Sequence, residues 1–254
     1  MKYILKKQAK KIYFTCFQKK KKMSNGIVLT YLHQRKVKND QLVVVFSSLT
    51  KKNPYAYNYV QTLKGVACHR LFILDNFGSK KRGVFYLGEN GSMDVRDAVE
   101  ELIRQIIKKN KIKTVIFTGT SKGGFAALYM GIRMDVQSII VGSPIVSIKS
   151  FLEGVSNEKQ LFKAMSQSKK DLNSYDFLLL DLIATKSFSG KIYLQYSSRE
   201  EINEFHTLIL INQLNKYKYN LETNEQTYSK HEDVRLFFPD FLRHIIMTSI
   251  GIKI

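Results

Sequence analysis

The sequence predicts an α/β protein in which a mostly parallel central sheet is covered by helices on both faces. Three observations carry that expectation. Short apolar runs of β-branched, aromatic and leucine residues recur at 41–48, 70–75, 114–118, 138–142 and 191–197. Longer stretches with apolar residues at helical spacing separate most of them, the order that builds parallel strands joined by crossover helices. Between one such strand and one such helix stands Gly119-Thr-Ser-Lys-Gly123, a tight turn that presents a serine.

Composition sets the bounds. A chain of 254 residues with 44% hydrophobic and 12% aromatic residues can bury a full core, which excludes a disordered chain. No internal repeat or long linker divides it, so residues 26–254 are expected to form one domain, preceded by a basic arm at 1–25. Cys16 and Cys68 are too few for a disulfide framework and stand in no metal-ligand spacing, so they read as free thiols of a reducing compartment. No apolar run reaches the roughly 18 residues that cross a bilayer. Tyr3-Ile-Leu5 is too short for a signal-peptide core. The expected location is the cytoplasm.

The formal charge of +20 is uneven: twelve of the 41 Lys and Arg residues, and no acid, lie in residues 1–39, which leaves about +8 for the rest. Such an arm can hold an anionic membrane from its inner face, at about 1 kcal/mol per basic residue. It can also hold an anionic polymer, or simply be a solvated tail. The body has no basic helix with interleaved aromatics, so nucleic acid is not an expected partner.

In chain order, residues 1–22 place Leu5, Ala9, Ile12, Tyr13 and Cys16 on one possible helical face, although 12–17 reads equally as a strand. The lysine run 19–22 breaks that pattern. Residues 26–32 read as a strand, and the unbroken apolar run in 41–48 as a strand buried on both faces. Tyr55, Tyr57 and Tyr59 form an aromatic cluster that lines the site or covers the core edge. Residues 76–91 are glycine-rich and basic, an irregular loop without a nucleotide-binding pattern. Asp94 is expected to cap a helix to about 109, with Val95, Val99, Leu102, Ile103 and Ile106 on its buried stripe. Residues 147–186 are mostly helical, with Leu152, Leu161, Phe162, Met165, Leu178 and Leu182 as apolar points. Helices are expected at 204–217 and 234–247.

The serine motif defines the chemistry. Gly119 and Gly123 let strand and helix approach where a Cβ would collide, and the helix N-terminus offers N–H groups where an oxyanion forms. The expected oxyanion donors are the N–H of Lys122 and one from the loop after the 41–48 strand, at Ser48. A serine hydroxyl needs a histidine to take its proton and a carboxylate to orient that histidine. In a fold where the order is serine, acid, histidine, His206, His231 and His244 are available. His206 and His244 fall inside helices, whereas His231 sits in the polar turn Tyr228-Ser-Lys-His-Glu-Asp-Val234. The acid should follow the 191–197 strand, where Glu200 is the choice and Glu201 the reserve.

With these residues in place the chain resembles α/β-hydrolase-like capsular polysaccharide biosynthesis proteins of the XcbB/CpsF type. More distantly it resembles the O-acetyltransferase-like accessory protein of the accessory Sec secretion system. The segments that carry the likeness are Leu42-Val-Val-Val-Phe-Ser-Ser48, His69-Arg-Leu-Phe-Ile-Leu-Asp-Asn-Phe-Gly78, Arg82-Gly-Val-Phe-Tyr-Leu-Gly88, Gly119-Thr-Ser-Lys-Gly-Gly124 and Ile192-Tyr-Leu-Gln-Tyr-Ser197. The resemblance covers roughly 40–245. It implies an α/β-hydrolase fold with a helical lid near 147–186, Ser121 as nucleophile, His231 as base and a carboxylate at Glu200, where aspartate is more usual. The activity it implies is acyl transfer, as O-acetyltransferase or esterase, on a surface polysaccharide or its precursor. No cofactor is required, and acetyl-CoA is a candidate donor. The alternative is an inactive scaffold of the same fold that binds glycan machinery.

Overall fold

The computed structural model describes residues 17–36, 39–49, 57–156, 158–166 and 174–249. The apolar points at Leu5, Ala9, Ile12, Tyr13 and Cys16, and Tyr55, lie outside the described residues. In chain order the elements are β1 (Lys19–Lys22), β2 (Val28–Gln34), β3 (Gln41–Phe46), β4 (His69–Leu74), α1 (Asp94–Asn110), β5 (Thr114–Thr120) and α2 (Lys122–Met134). There follow β6 (Ser138–Gly142), α3 (Lys159–Met165), α4 (Ser174–Thr185), β7 (Lys191–Ser197), α5 (Leu208–Lys216), β8 (Asn220–Gln226) and α6 (Val234–Ser249).

Among the described residues the strands form one sheet in the order β1-β2-β4-β3-β5-β6-β7-β8. The pairings β1–β2 and β2–β4 are antiparallel, and all others are parallel. The unbroken run in β3 follows from burial on both faces, because side chains alternate along a strand. Leu42, Val44 and Phe46 enter the core that α1 and α2 cover, while Val43 and Val45 enter the core under α6. Each such side chain taken out of water contributes about 1.5–3 kcal/mol. In α1 the stripe Val95, Val99, Leu102, Ile103 and Ile106 is buried as its spacing predicts. Asp94 is the first residue of that helix, one position inside the expected cap. Its Oδ1 still accepts the Val95 N–H at 2.8 Å.

Both sheet edges depart from the expectation. Lys19–Lys22, assigned by sequence to the arm at 1–25, is a strand in register with Tyr31 to Val28, and its four lysines are exposed. Asn220–Gln226 has no apolar alternation, yet it pairs with β7 over seven residues. Edge strands need backbone partners on one side only, and charged side chains there discourage further pairing.

The described residues of the interval 147–186 join the core. Leu152, Leu161, Phe162 and Met165 are buried, and in α4 the buried side is Tyr175, Leu179 and Ile183, with Leu178 and Leu182 half-buried beside it. Its first turns bring Phe151 to the site, 5.9 Å from the His231 ring between centroids. The helix expected at 204–217 opens as a wide turn, Asn203–Thr207, before α5. Among the described residues no helix is long and apolar enough to cross a membrane.

Parallel strands β3, β5, β6 and β7 all end on one side of the sheet. The loops that leave them carry Ser47 and Ser48, Ser121, Ser143 and Glu200, and the strand order sets these side by side. That edge is where open α/β sheets bind ligands.

Candidate active site

Ser121 sits between β5 and α2 with φ 55° and ψ −123°. A non-glycine residue in such a region costs about 1–3 kcal/mol, so its surroundings must hold it there. They do so through the backbone. The Ser121 N–H donates to Gly142 O at 3.1 Å, and its carbonyl accepts the N–H of Phe125 at 3.1 Å and of Ile145 at 3.2 Å. The two glycines are needed for space: a Cβ on Gly119 would lie 2.3 Å from Gly123 O, and one on Gly123 would lie 2.4 Å from Phe46 O.

The hydroxyl of Ser121 lies 2.7 Å from His231 Nε2. His231 opens the short turn before α6, and its Nδ1 contacts Glu200 Oε1. The carboxylate draws the ring proton to Nδ1, which leaves the Nε2 lone pair facing the serine O–H. Glu200 stands in the turn after β7, with its side chain fully buried, while the His231 side chain keeps 16% of its surface open. Glu201, the reserve, points to solvent. The structure therefore brings Ser121, His231 and Glu200 into one line of contacts.

A buried carboxylate needs partners for both oxygens. Ser143 Oγ donates to Glu200 Oε2 at 2.6 Å, so the Tyr228 hydroxyl, also 2.6 Å from Ser143 Oγ, donates to it in turn. Burial, with the nearby Glu200 charge adding to it, pushes the Tyr228 phenol up and keeps that proton in place. His206, set aside from sequence because it falls inside a helix, is buried at the site's edge. Its Nδ1 accepts the N–H groups of Val146 and Ser147, each at 3.2 Å, and so ties down the loop that carries Ser143. Burial foremost, with His231 nearby, lowers its pKa to about 4, so it stays neutral near pH 7. His244 is exposed on α6.

The oxyanion side needs one correction. Lys122 opens α2, so its N–H has no helical acceptor and is available beside Ser121. The N–H of Ser48 is already donated, to Asn58 Oδ1 at 3.0 Å, and the Ser48 hydroxyl bonds Thr120 O and Oγ1, both at 3.0 Å. An oxyanion would have to displace Asn58 to use Ser48. The same Thr120 Oγ1 meets the Tyr59 hydroxyl at 2.8 Å, which places one of the expected tyrosines at the site.

The lysine side chain was missed by sequence reasoning, which used only its N–H. Lys122 runs inward, and its Nζ pairs with Asp75 Oδ2 at 2.7 Å, the two side chains being 1% and 0% exposed. Asp75, at the end of β4, also accepts the Val84 N–H at 2.9 Å and the Tyr86 N–H at 3.0 Å. Burial lowers the Lys122 pKa, and the Asp75 charge opposes that shift. Among the described residues no group of three or more His, Cys, Asp or Glu side chains is placed to hold a metal ion.

The strand order, the elbow and the loop positions can now be set beside known proteins. An O-acetyltransferase of the Neisseria meningitidis serogroup A capsule, solved in complex with CoA, superposes with a TM-score of 0.75 at 19% identity, over 90% of this chain and 94% of that one. The fold is that of the α/β-hydrolases. A fluorophosphonate-binding serine hydrolase of Staphylococcus aureus shares it at 9% identity, with a TM-score of 0.68 over 92% of this chain and 97% of its own. The glycosylation-associated Gap123 complex of Streptococcus agalactiae matches at 16% identity with a TM-score of 0.74, over 94% of this chain and 48% of that one. In sequence, 73 residues, 28% of this chain, are 36% identical to an accessory Sec system protein of Staphylococcus aureus. That match spans 13% of the relative's own length. No family model matches.

Proposed function

We propose that this protein is a serine acyltransferase that moves an acetyl group from acetyl-CoA to a hydroxyl of a bacterial surface polysaccharide or its precursor. The observation that carries the reading is the contact of Ser121 Oγ with His231 Nε2 at 2.7 Å, in a ring whose other nitrogen meets buried Glu200. The capsule O-acetyltransferase and the serine hydrolase of the same fold support the reaction class.

In this mechanism Ser121 Oγ attacks the thioester carbonyl as its proton passes to His231 Nε2. The imidazolium is held by Glu200, and the carbonyl oxygen, now negative, takes the Lys122 N–H. Collapse expels the thiol with the proton from His231 and leaves an acetyl-serine. A sugar hydroxyl then gives its proton to His231, attacks the ester carbonyl, and Ser121 leaves with that proton. Water in place of the sugar makes the same enzyme an esterase, and exclusion of water decides between them. Peripheral contact with an anionic membrane through the basic arm belongs to the same proposal. The four exposed lysines of β1 continue that charge into the sheet.

Incubation with acetyl-CoA followed by intact-mass measurement tests the reading. One acetyl group on the wild type, absent from Ser121→Ala and discharged by an added glycan acceptor, is the expected result. Acetylation that persists in Ser121→Ala would sink it.

A further inference from the structure

We propose that the buried Lys122–Asp75 ion pair is the positioning device of the oxyanion pocket, fixing both of its walls, the donor N–H of Lys122 and the Ser47–Ser48 loop, relative to Ser121. The proposal rests on the serine acyl-transfer reading above and names residues that act through others rather than touching substrate.

Lys122 follows the nucleophile on a turn at the ligand edge of the sheet, where a lysine side chain would ordinarily extend into water. Here it crosses the end of β3 to reach the end of β4. The loop after β4 closes over the pair so tightly that a Cβ on Gly83, whose φ is 110°, would lie 2.2 Å from Lys122 Nζ and 2.6 Å from Asp75 Oδ2. The next turn holds Phe85 and Tyr86 at φ 54° and 58°, a conformation that bulky residues avoid unless something imposes it. Asp75 imposes it by accepting the Tyr86 N–H.

Tyr86 then connects the ion pair to the second wall. Its hydroxyl accepts the Ser47 N–H at 2.6 Å, contacts Ser47 Oγ at 2.8 Å and donates to Ile73 O at 2.8 Å. Ser47 Oγ also accepts the Asp75 N–H at 3.4 Å. The network therefore begins at the residue that follows Ser121 in the chain and ends at Ser47, beside Ser48. A buried ion pair adds little stability over an apolar pair of the same shape, but it admits few arrangements. The Lys122 N–H needs that restriction as an oxyanion donor, since a misplacement of about 1 Å costs on the order of 10²-fold in rate.

The test compares wild type, Lys122→Met, the double variant Lys122→Met/Asp75→Asn and Tyr86→Phe. The readouts are kcat and KM for p-nitrophenyl acetate, the rate of fluorophosphonate labelling, and urea unfolding. The double variant removes both charges while its amide carbonyl can still accept from Val84 and Tyr86. It should therefore regain most of the stability that Lys122→Met loses. Its kcat should stay roughly 10²-fold down, the size of losing one oxyanion donor, with KM within about threefold. Tyr86→Phe, which leaves the ion pair whole, should lose about tenfold in kcat through its Ser47 wall. A merely structural pair predicts that kcat returns with stability. A folded double variant with kcat within about twofold of wild type overturns the proposal, and it carries the test if Lys122→Met alone does not fold. A wild type that neither turns over the ester nor takes the probe overturns the serine reading and this proposal together; an active wild type matched by its variants overturns this proposal alone.

Discussion

On one flank of Ser121, His231 and Glu200 come from the turns after β8 and β7, and the histidine side chain keeps 16% of its surface open. On the other flank, Lys122 and Asp75 keep 1% and none, and the loop over them leaves no room for one added carbon. In the proposed reaction the first flank would move protons between serine, leaving group and acceptor, so its base must face the cleft. The second would hold the Lys122 N–H still while charge appears. In a dry site such a donor needs no reorganisation at the moment of reaction. Burial would follow the proposed role of each group, since Glu200, which would only orient the base, is as buried as Asp75, although each is held by different partners.

Substitutions that break one flank at a time sharpen the contrast. The largest effect is expected at Glu200→Gln, where an amide no longer enforces the Nδ1 proton on His231. The kcat for an activated ester should fall about 10³–10⁴-fold with the fold intact, whereas Glu201→Gln, on an exposed side chain, should leave it unchanged. Next comes Asp75→Ala, which strands the buried Lys122 charge and the Val84 and Tyr86 N–H groups. Urea unfolding should show a loss of about 3–5 kcal/mol, larger than the stability change at Glu200→Gln.

A smaller effect comes with pH. Burial holds His206 neutral in the folded protein down to about pH 4, while the unfolded chain protonates it near 6.5. Between those values the unfolded chain binds the extra proton, so the His206 contribution is fully present above pH 6.5 and is lost as pH falls toward 4. It amounts to about 3 kcal/mol over that window. His33, lowered to about 4 by burial first and then by His69 and nearby cations, adds a slope of the same sign. Urea midpoints at pH 7.5, 6.0 and 5.0 should fall in that order, and His206→Gln should flatten the trend; an unchanged slope would remove His206 from the account. Smallest is Ser143→Ala, which takes one donor from Glu200 Oε2. It should cost about 1.5 kcal/mol, or roughly tenfold in kcat, since hydrogen bonds to charged groups are worth about 1.5–3 kcal/mol.

The apolar strands and the elbow were legible because burial and glycine spacing leave marks on sequence. Val43, Val44 and Val45 can only be a two-sided buried strand, and Gly119 and Gly123 stand where the backbones touch. Glu200 and His231, which the structure sets in line with Ser121, were picked from chain order and distance to the strand end, rules of position that need no side-chain pattern. The edge strands were illegible for the opposite reason. Asn220–Gln226 and Lys19–Lys22 pair through the backbone alone, so their polar side chains carry no period to read. The ion pair was hidden because a lysine beside an exposed serine reads as solvated, and its partner stands 47 positions away. Three of the segments that carry the family likeness, those ending at Gly78, Gly88 and Gly124, contain Asp75, Val84 with Tyr86, and Lys122 respectively. They meet at this one buried contact.

Intact-mass labelling with a fluorophosphonate probe tests the central claim most directly, because the probe needs only an activated serine and neither donor nor acceptor. Wild type, Ser121→Ala and His231→Ala, each shown to be folded by circular dichroism, would be compared side by side. A single adduct on the wild type, absent from both variants, is the predicted result. A folded wild type that takes no adduct, or an adduct that survives in Ser121→Ala, would contradict it.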